Sequence, residues 1–249
     1  MSKPMNLVDQ YLVELRLHGV RETLLARSEQ AKSENLTHGD FLNLVLHDEA
    51  QWRRNTRIQR LLKMASFRSH AACEALDMST PRGLDKRQIQ ELATTRFIDD
   101  GVNVVIMGPT GVGKTHLATA IGNSACRNGR STLFYRMNNL IEKLAMARAQ
   151  NTYLHLLRKL AGCDLLILDD LGIKPLAPPQ FQDLYDILDE RGDGKATVVT
   201  TQVPTENWSE IIADPIVCEA ITDRIVTRSI KLIMKGDSYR KKAKSVDQN

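Results

Sequence analysis

The chain lacks what several classes of protein require. No apolar run in its 249 residues approaches the eighteen or so needed to span a membrane. Its start, Met1-Ser2-Lys3-Pro4-Met5, has no apolar core of the kind a secretory signal carries. Cysteine is scarce and scattered: Cys73, Cys126, Cys163 and Cys218 form no C-x-x-C pair. Neither a zinc site nor a disulfide framework is therefore expected, and a reducing cytoplasm suits the chain. Charge of one sign is not in excess either, since 34 Lys and Arg against 30 Asp and Glu leave a net +4. Total charge thus names no partner. No segment repeats at solenoid spacing and none is of low complexity.

What remains is an ordinary globular composition, 42% hydrophobic and 26% charged. That is enough for one large α/β domain and a small helical one. From Asn6 to about Arg68 the pattern is helical, with Leu7, Tyr11, Leu12, Leu15 and Leu17 near the helical period and Gly19 interrupting them. Residues 36–40 read as a connection, with Thr37 or Asp40 as the cap of a longer helix running to Arg68. Ser79-Thr80-Pro81-Arg82-Gly83 reads as a linker, so a helical domain over 1–78 and a second domain over 79–249 are expected. After a short helix at 86–97, strand-like runs at 102–107, 132–135, 165–168, 197–200 and 229–234 alternate with helical ones, including 138–149 and 178–191. Such alternation implies a parallel sheet with helices on both faces. Lys231 in the last run is expected on an edge or an exposed face.

The most specific feature is Gly108-Pro109-Thr110-Gly111-Val112-Gly113-Lys114-Thr115, a complete G-x-x-x-x-G-K-T phosphate loop. The β-branched run 102–107 precedes it as a buried strand should, and the Ala- and Leu-rich run from His116 follows as a helix. The glycines let backbone N–H groups turn inward around phosphates. The Lys114 ammonium reaches the β and γ phosphates, and the Thr115 hydroxyl ligates magnesium. Magnesium also needs a carboxylate, and Leu165-Leu166-Ile167-Leu168-Asp169-Asp170 is an apolar strand ending in two acids. Ligands gather at the carboxyl ends of such strands, which sets Asp169 to hold magnesium and Asp170 to polarise an attacking water.

Other residues admit two readings each. Thr200-Thr201-Gln202 ends the fourth strand, where a polar side chain can sit between the γ-phosphate and water, or simply turn the chain before Pro204. Arg224 in Asp223-Arg224 lies on a helical stretch and is otherwise a solvated surface residue. Between Glu49 and Glu74 there is no acid, yet Arg53, Arg54, Arg57, Arg60, Lys63 and Arg68 are present. On a helix Arg53, Arg57 and Arg60 share one face, with Ile58, Leu61, Leu62 and Ala65 on another. This is either a strip for the phosphate backbone of double-stranded DNA or a solvated face. Arg240-Lys241-Lys242-Ala243-Lys244 is a weaker candidate of the same kind.

Taken together these elements resemble the AAA+ ATPases, and specifically the IstB-like transposition helper proteins, relatives of the DnaC-type helicase loaders. The resemblance covers nearly the whole chain. It rests on Leu15-Arg16-Leu17-His18-Gly19, Arg82-Gly83-Leu84-Asp85 and the phosphate loop with its His116-Leu117-Ala118 extension. Leu168-Asp169-Asp170-Leu171-Gly172, Thr222-Asp223-Arg224-Ile225 and Lys235-Gly236-Asp237-Ser238-Tyr239-Arg240 complete it. It implies a P-loop sheet preceded by a small all-α domain, and a helper that binds ATP with Mg2+, hydrolyses it and binds DNA. It also implies a homo-oligomeric ring or helical assembly that works with a cognate transposase. The loop residues 108–115 and His116 would contact the nucleotide. Gln202, or alternatively Thr201, resembles the first sensor, and Arg224 the arginine finger that reaches a neighbouring subunit's ATP. Related initiators put nucleic acid near Lys143, Arg148, Arg158 and Lys159. The chain departs from the pattern in carrying Asp170 where many relatives have glutamate. It also leaves no room for the usual C-terminal helical lid. A helicase loader is the rival reading, which would use the N-terminal segment to grip a helicase. A small-molecule kinase, which would need an acceptor pocket and an arginine-bearing lid, is a third.

Overall fold

Apolar residues at helical spacing open the chain as three helices: α1 Pro4–Glu14, α2 His18–Ser33 and α3 His38–Ala65. The computed structural model describes residues 4–69, 71–78, 82–236 and 238, and it forms two compact units, Met1–Arg60 and Leu61–Asn249. In the first, Leu12, Val20 and Val45 make a small core with Leu17, Leu24 and Phe41 against them. Gly19 sits where no side chain fits: a Cβ there would lie 2.7 Å from the Asp48 carbonyl oxygen and 2.7 Å from the Trp52 Cβ. Its N–H donates to Glu49 Oε2 at 2.7 Å, as does that of Val20 at 3.2 Å. The buried carboxylate thus serves the unpaired donors at the start of α2. Both candidate caps of α3 are used, for Thr37 Oγ1 accepts from the Asp40 N–H and donates to Asp40 Oδ2. The helix ends at Ala65 and not at Arg68, because Ser66 adopts φ +56°, a left-handed conformation that stops it.

The second unit is built on a sheet. Its strands are β1 Asn103–Met107, β2 Thr132–Arg136, β3 Leu165–Leu171, β4 Ala196–Thr201 and β5 Ser229–Ile233. All pairings are parallel, in the order β2-β3-β4-β1-β5. Every residue of β1 is buried, as a central strand covered on both faces must be. Alternate strand residues feed two cores. Val105, Leu166, Leu168 and Val199 face α7 Met137–Ala149, α8 Tyr153–Gly162, α9 Pro178–Arg191 and α10 Pro215–Thr222. Val104, Ile106, Ile167 and Val198 face α4 Lys86–Thr94, α5 Arg96–Asp99 and α6 Lys114–Arg127. Leu61 and Ala65 close over Cys126 of α6. The expected single helix at 86–97 is two, because Thr95 takes φ +64° between them. β3 runs on past Leu168, since Asp169 still pairs with Arg136 of β2. Lys231 is exposed on β5, an edge strand. Among the described residues no helix follows β5, and no helix is long and apolar enough to cross a membrane. The four cysteines are buried and unpaired. Residues 79–81 of the expected linker, and 240–244 of the basic tail, lie outside the described residues.

Candidate functional site

β1 runs out between β4 and β5, and the chain must turn sharply before α6 can begin. Gly108, Gly111 and Gly113 make that turn at φ +152°, +86° and +104°. At Gly108 a Cβ would fall 2.3 Å from the Met234 carbonyl oxygen, so the position excludes any side chain. The loop ends at the N-terminus of α6, whose unpaired N–H groups and dipole favour an anion. Lys114 is buried, and its Nζ donates to the Gly108 and Pro109 carbonyls at 2.8 and 3.0 Å. Thr110 Oγ1 donates to Gln202 Oε1 at 2.7 Å, bringing the end of β4 to the loop.

Beside the loop stands Asp169, with no exposed surface. Thr115 Oγ1 donates to its two carboxylate oxygens at 2.9 and 3.1 Å, and Thr200 Oγ1 donates to Oδ1 at 2.7 Å. Burial pushes the Asp169 carboxyl up, with the charge of Asp170 adding to it and the Thr200, Thr115 and Arg136 interactions opposing it. Two oxygens from Thr115 and Asp169 beside a phosphate cradle are the sparse protein donor set that a phosphate-bound magnesium ion takes. Asp170 stands beside Asp169, the two carboxylates flanking Arg136 Nε at 3.9 and 3.7 Å. It adopts φ +64° at an irregularity in the β3–β4 ladder between Leu168 and Leu171, and its N–H donates to Thr200 Oγ1 at 2.9 Å. Half-buried, it lines the pocket over the loop, whereas Asp169 lies beneath it.

That pocket, of about 590 Å3, gathers Gly111, Lys114, Thr115, His116, Asp170 and Gln202. Its other wall is apolar, from Leu76, Leu84 and Met234, with Asp77 and Arg82 at its side. Those wall residues come from three separate segments, and no spacing in the sequence groups them. Only Arg82 and Leu84 carry a signal there, as part of the Arg82-Gly83-Leu84-Asp85 motif. Of the Thr200-Thr201-Gln202 run, Thr200 hydrogen-bonds Asp169 and the Asp170 N–H, whereas Gln202 bonds Thr110. Thr201 instead bonds Val203.

Arg224 is not among the residues lining this pocket. It sits on a π-helical turn, Asp223–Thr227, and lines a separate cavity of about 350 Å3 with Asp189, Asp223 and Arg228. Its guanidinium donates to Asp189 Oδ1 at 2.5 Å and Tyr185 Oη at 3.2 Å, and lies 4.6 Å from the Tyr185 ring centroid. The turn is anchored from β1, because Asn103 Nδ2 donates to the Arg224 and Ile225 carbonyls while its Oδ1 accepts from the Thr197 N–H.

The basic residues of α3 differ among themselves. Arg53 Nε donates to Glu49 Oε1 at 2.7 Å, so it is tied to the carboxylate that serves α2. Arg54, Arg57, Arg60 and Lys63 are exposed along the helix, and Arg68 is exposed beyond its end. On the sheet-bearing unit, Arg148 pairs with Asp183 and stacks on Tyr153, while Arg158 and Lys159 are exposed on α8.

Comparison with known proteins gives a consistent picture. The model of the family described as IstB-like ATP binding protein matches residues 10–247. An insertion-sequence ATP-binding protein of Sinorhizobium fredii is 37% identical over 225 residues, covering 90% of this chain and 92% of its own. One from Mycobacterium tuberculosis is 31% identical over 227 residues, covering 91% and 90%. Among solved structures, the DnaC helicase loader superposes with a TM-score of 0.53 at 21% identity, over 71% of this chain and 99% of its own. At that identity the likeness speaks for the AAA+ fold alone.

Proposed function

The chain belongs to the family of IstB-like ATP-binding proteins, and from that membership we propose that it is an Mg-dependent ATPase acting as a DNA-binding transposition helper. It oligomerises on double-stranded DNA, remodels the target and recruits or stimulates a partner transposase. The observation that carries the hydrolytic part is the hydrogen bonding of Thr115 to the buried Asp169 beside a loop that only glycines can form.

Lys114 and the loop N–H groups bind the phosphates. Thr115 and Asp169 would hold magnesium, which supplies charge neutralisation at the β and γ phosphates when bound. Asp170, turned into the pocket by its left-handed backbone, orients and polarises the attacking water. Gln202, fixed by Thr110, stands at the same end of the site. Arg224 completes a neighbouring subunit's site, and an Arg-rich stretch of α3 meets the DNA backbone. The insertion-sequence relatives support the transposition reading. A helicase loader shares the fold, and would use the helical unit on a helicase in place of duplex DNA.

The test is phosphate release from ATP with and without duplex DNA, alongside electron microscopy of the same samples. ATP-dependent assemblies on duplex DNA support the helper. Assembly that needs a replicative helicase and ignores duplex DNA supports the loader.

A further inference from the structure

A second cationic site lies on the opposite flank of the acid pair. A cavity of about 240 Å3 opens at the β2 edge, lined among others by Ser66, Arg68, Arg136, Asn139, Lys143 and Lys159. Four of these are cations, and no carboxylate lines it. Arg136 ends β2 directly opposite Asp169. Its Nε is buried with no hydrogen-bond partner, and the nearest carboxylate oxygens, Asp169 Oδ2 and Asp170 Oδ2, stand 3.7 and 3.9 Å away. Those separations are ion-pair distances too long for hydrogen bonds. The Nε therefore faces the acid pair, and an anion in the cavity acts on the guanidinium through its charge. A planar fork and two ammonium groups with amide and hydroxyl donors suit a tetrahedral, multiply charged anion better than a single carboxylate.

We propose that this cavity is a phosphate-binding site separate from the nucleotide pocket, and that Arg136 links its occupancy to Asp169. The phosphate is either a free ion or one group of a polynucleotide backbone. The linkage rests on the reading of Asp169 as the magnesium-side acid. A guanidinium 3.7 Å from that carboxylate opposes a second cation there. A phosphate in the cavity draws on the same guanidinium and offsets its charge, so phosphate and magnesium-nucleotide each tighten the other's binding. Thermodynamic linkage makes the effect equal in both directions.

The full chain is titrated with a β,γ-methylene ATP analogue and Mg2+, without and with inorganic phosphate, and in a second arm with a duplex oligonucleotide. The expected result is analogue binding at least about fivefold tighter with phosphate, the lower end of ordinary couplings. Competition for the phosphate loop would act in the opposite direction, so the sign itself is diagnostic. Lys143→Ala with Lys159→Ala should require about tenfold more phosphate for the same tightening. Arg136→Gln should bind the analogue but lose the tightening, and Arg136→Lys should recover part of it. A response to the oligonucleotide alone assigns the site to a polymer backbone if it is lost in the Arg136→Gln and double lysine variants, and overturns the proposal if it survives in them. A response to both probes, lost in the same variants, assigns the site to phosphate in general. Unchanged or weakened analogue binding with both probes overturns the proposal, as does full tightening in Arg136→Gln. If the analogue does not bind at all, the reading of the loop fails. Calorimetric titration with phosphate alone then decides the cavity, through loss of binding in the double lysine variant.

Discussion

Thr200 offers the sharpest test of how the acid pair is built, because it is buried and bonds both acids. Its hydroxyl donates to Asp169 Oδ1 at 2.7 Å and accepts from the Asp170 N–H at 2.9 Å. Thr200→Val exchanges the hydroxyl for a methyl of similar size, so packing is nearly preserved and the effect isolates the two hydrogen bonds. One of them reaches a buried carboxylate, which keeps Thr115 as a donor, and the other leaves the part-buried Asp170 N–H without its acceptor; together their loss costs about 2–4 kcal/mol. That is a large share of the stability of an ordinary domain. Urea unfolding of the full chain, followed by far-UV circular dichroism, should therefore show the sheet-bearing unit melting at a clearly lower midpoint. Mg2+-dependent ATP affinity should fall as well, because the Asp169 carboxylate loses a donor that orients it towards Thr115. Thr200→Ser keeps the hydroxyl and loses a methyl group, so it should remain within about 1 kcal/mol of the parent in stability. A Thr200→Val protein with the parent's unfolding midpoint and magnesium dependence would refute this account of the acid pair.

Asp170→Asn should keep ATP and Mg2+ binding, slow phosphate release and accumulate ATP-bound oligomers on DNA in pull-down assays; normal turnover would remove Asp170 from the water-polarising role. Replacing Arg54, Arg57 and Arg60 together with alanine should weaken duplex binding regardless of sequence. The slope of log affinity against log salt should shrink by roughly 0.9 for each DNA phosphate left unneutralised, and an unchanged slope returns these residues to a solvated face. In the helical unit, the Arg27 hydrogen bond holds Asp48 down at about 2. A carboxyl lowered on folding contributes stability that is fully present above its unfolded pKa and lost as pH falls through the folded one. Helix content in that unit should thus be steady above about pH 4 and decline between about pH 4 and 2, with Arg27→Met weakening the dependence in a circular dichroism titration, since Asp9 and Glu49 are lowered by partners of their own.

The phosphate loop and its flanks were legible because each ingredient is local: a strand, glycines at positive φ, a lysine and the start of a helix. The parallel sheet followed from alternation of strand and helix patterns, and its order from no local feature at all. Asp169 was legible as an acid at a strand end, but neither its complete burial against Thr115 nor the left-handed backbone of Asp170 in an irregular ladder leaves a mark in sequence. Thr200 read as one polar residue among three. Arg136 lies just past the strand-like run 132–135 and carried no signal, although it stands beside both acids. The run of bases after Glu49 looked free of counter-charge, yet Glu49 itself, one helical turn before Arg53, pairs with that arginine. Thr95, buried and at φ +64°, breaks an expected helix at a point that no Gly or Pro marks.

If each ATP site is completed by a neighbouring subunit, as proposed, two inactive variants should complement each other when mixed. Within its own chain the Arg224 guanidinium rests on Asp189 and Tyr185, away from the loop that holds Lys114. A guanidinium stays charged and its fork suits phosphate oxygens, and removal of such a finger costs nucleotide hydrolases about a thousandfold or more in rate. Lys114→Ala and Arg224→Ala should each be inactive alone, the second while still binding ATP. In oligomers shown to contain both, an interface pairing an intact Lys114 with a neighbour's intact Arg224 should recover part of the parent's turnover. Mixed oligomers that recover none would contradict the account.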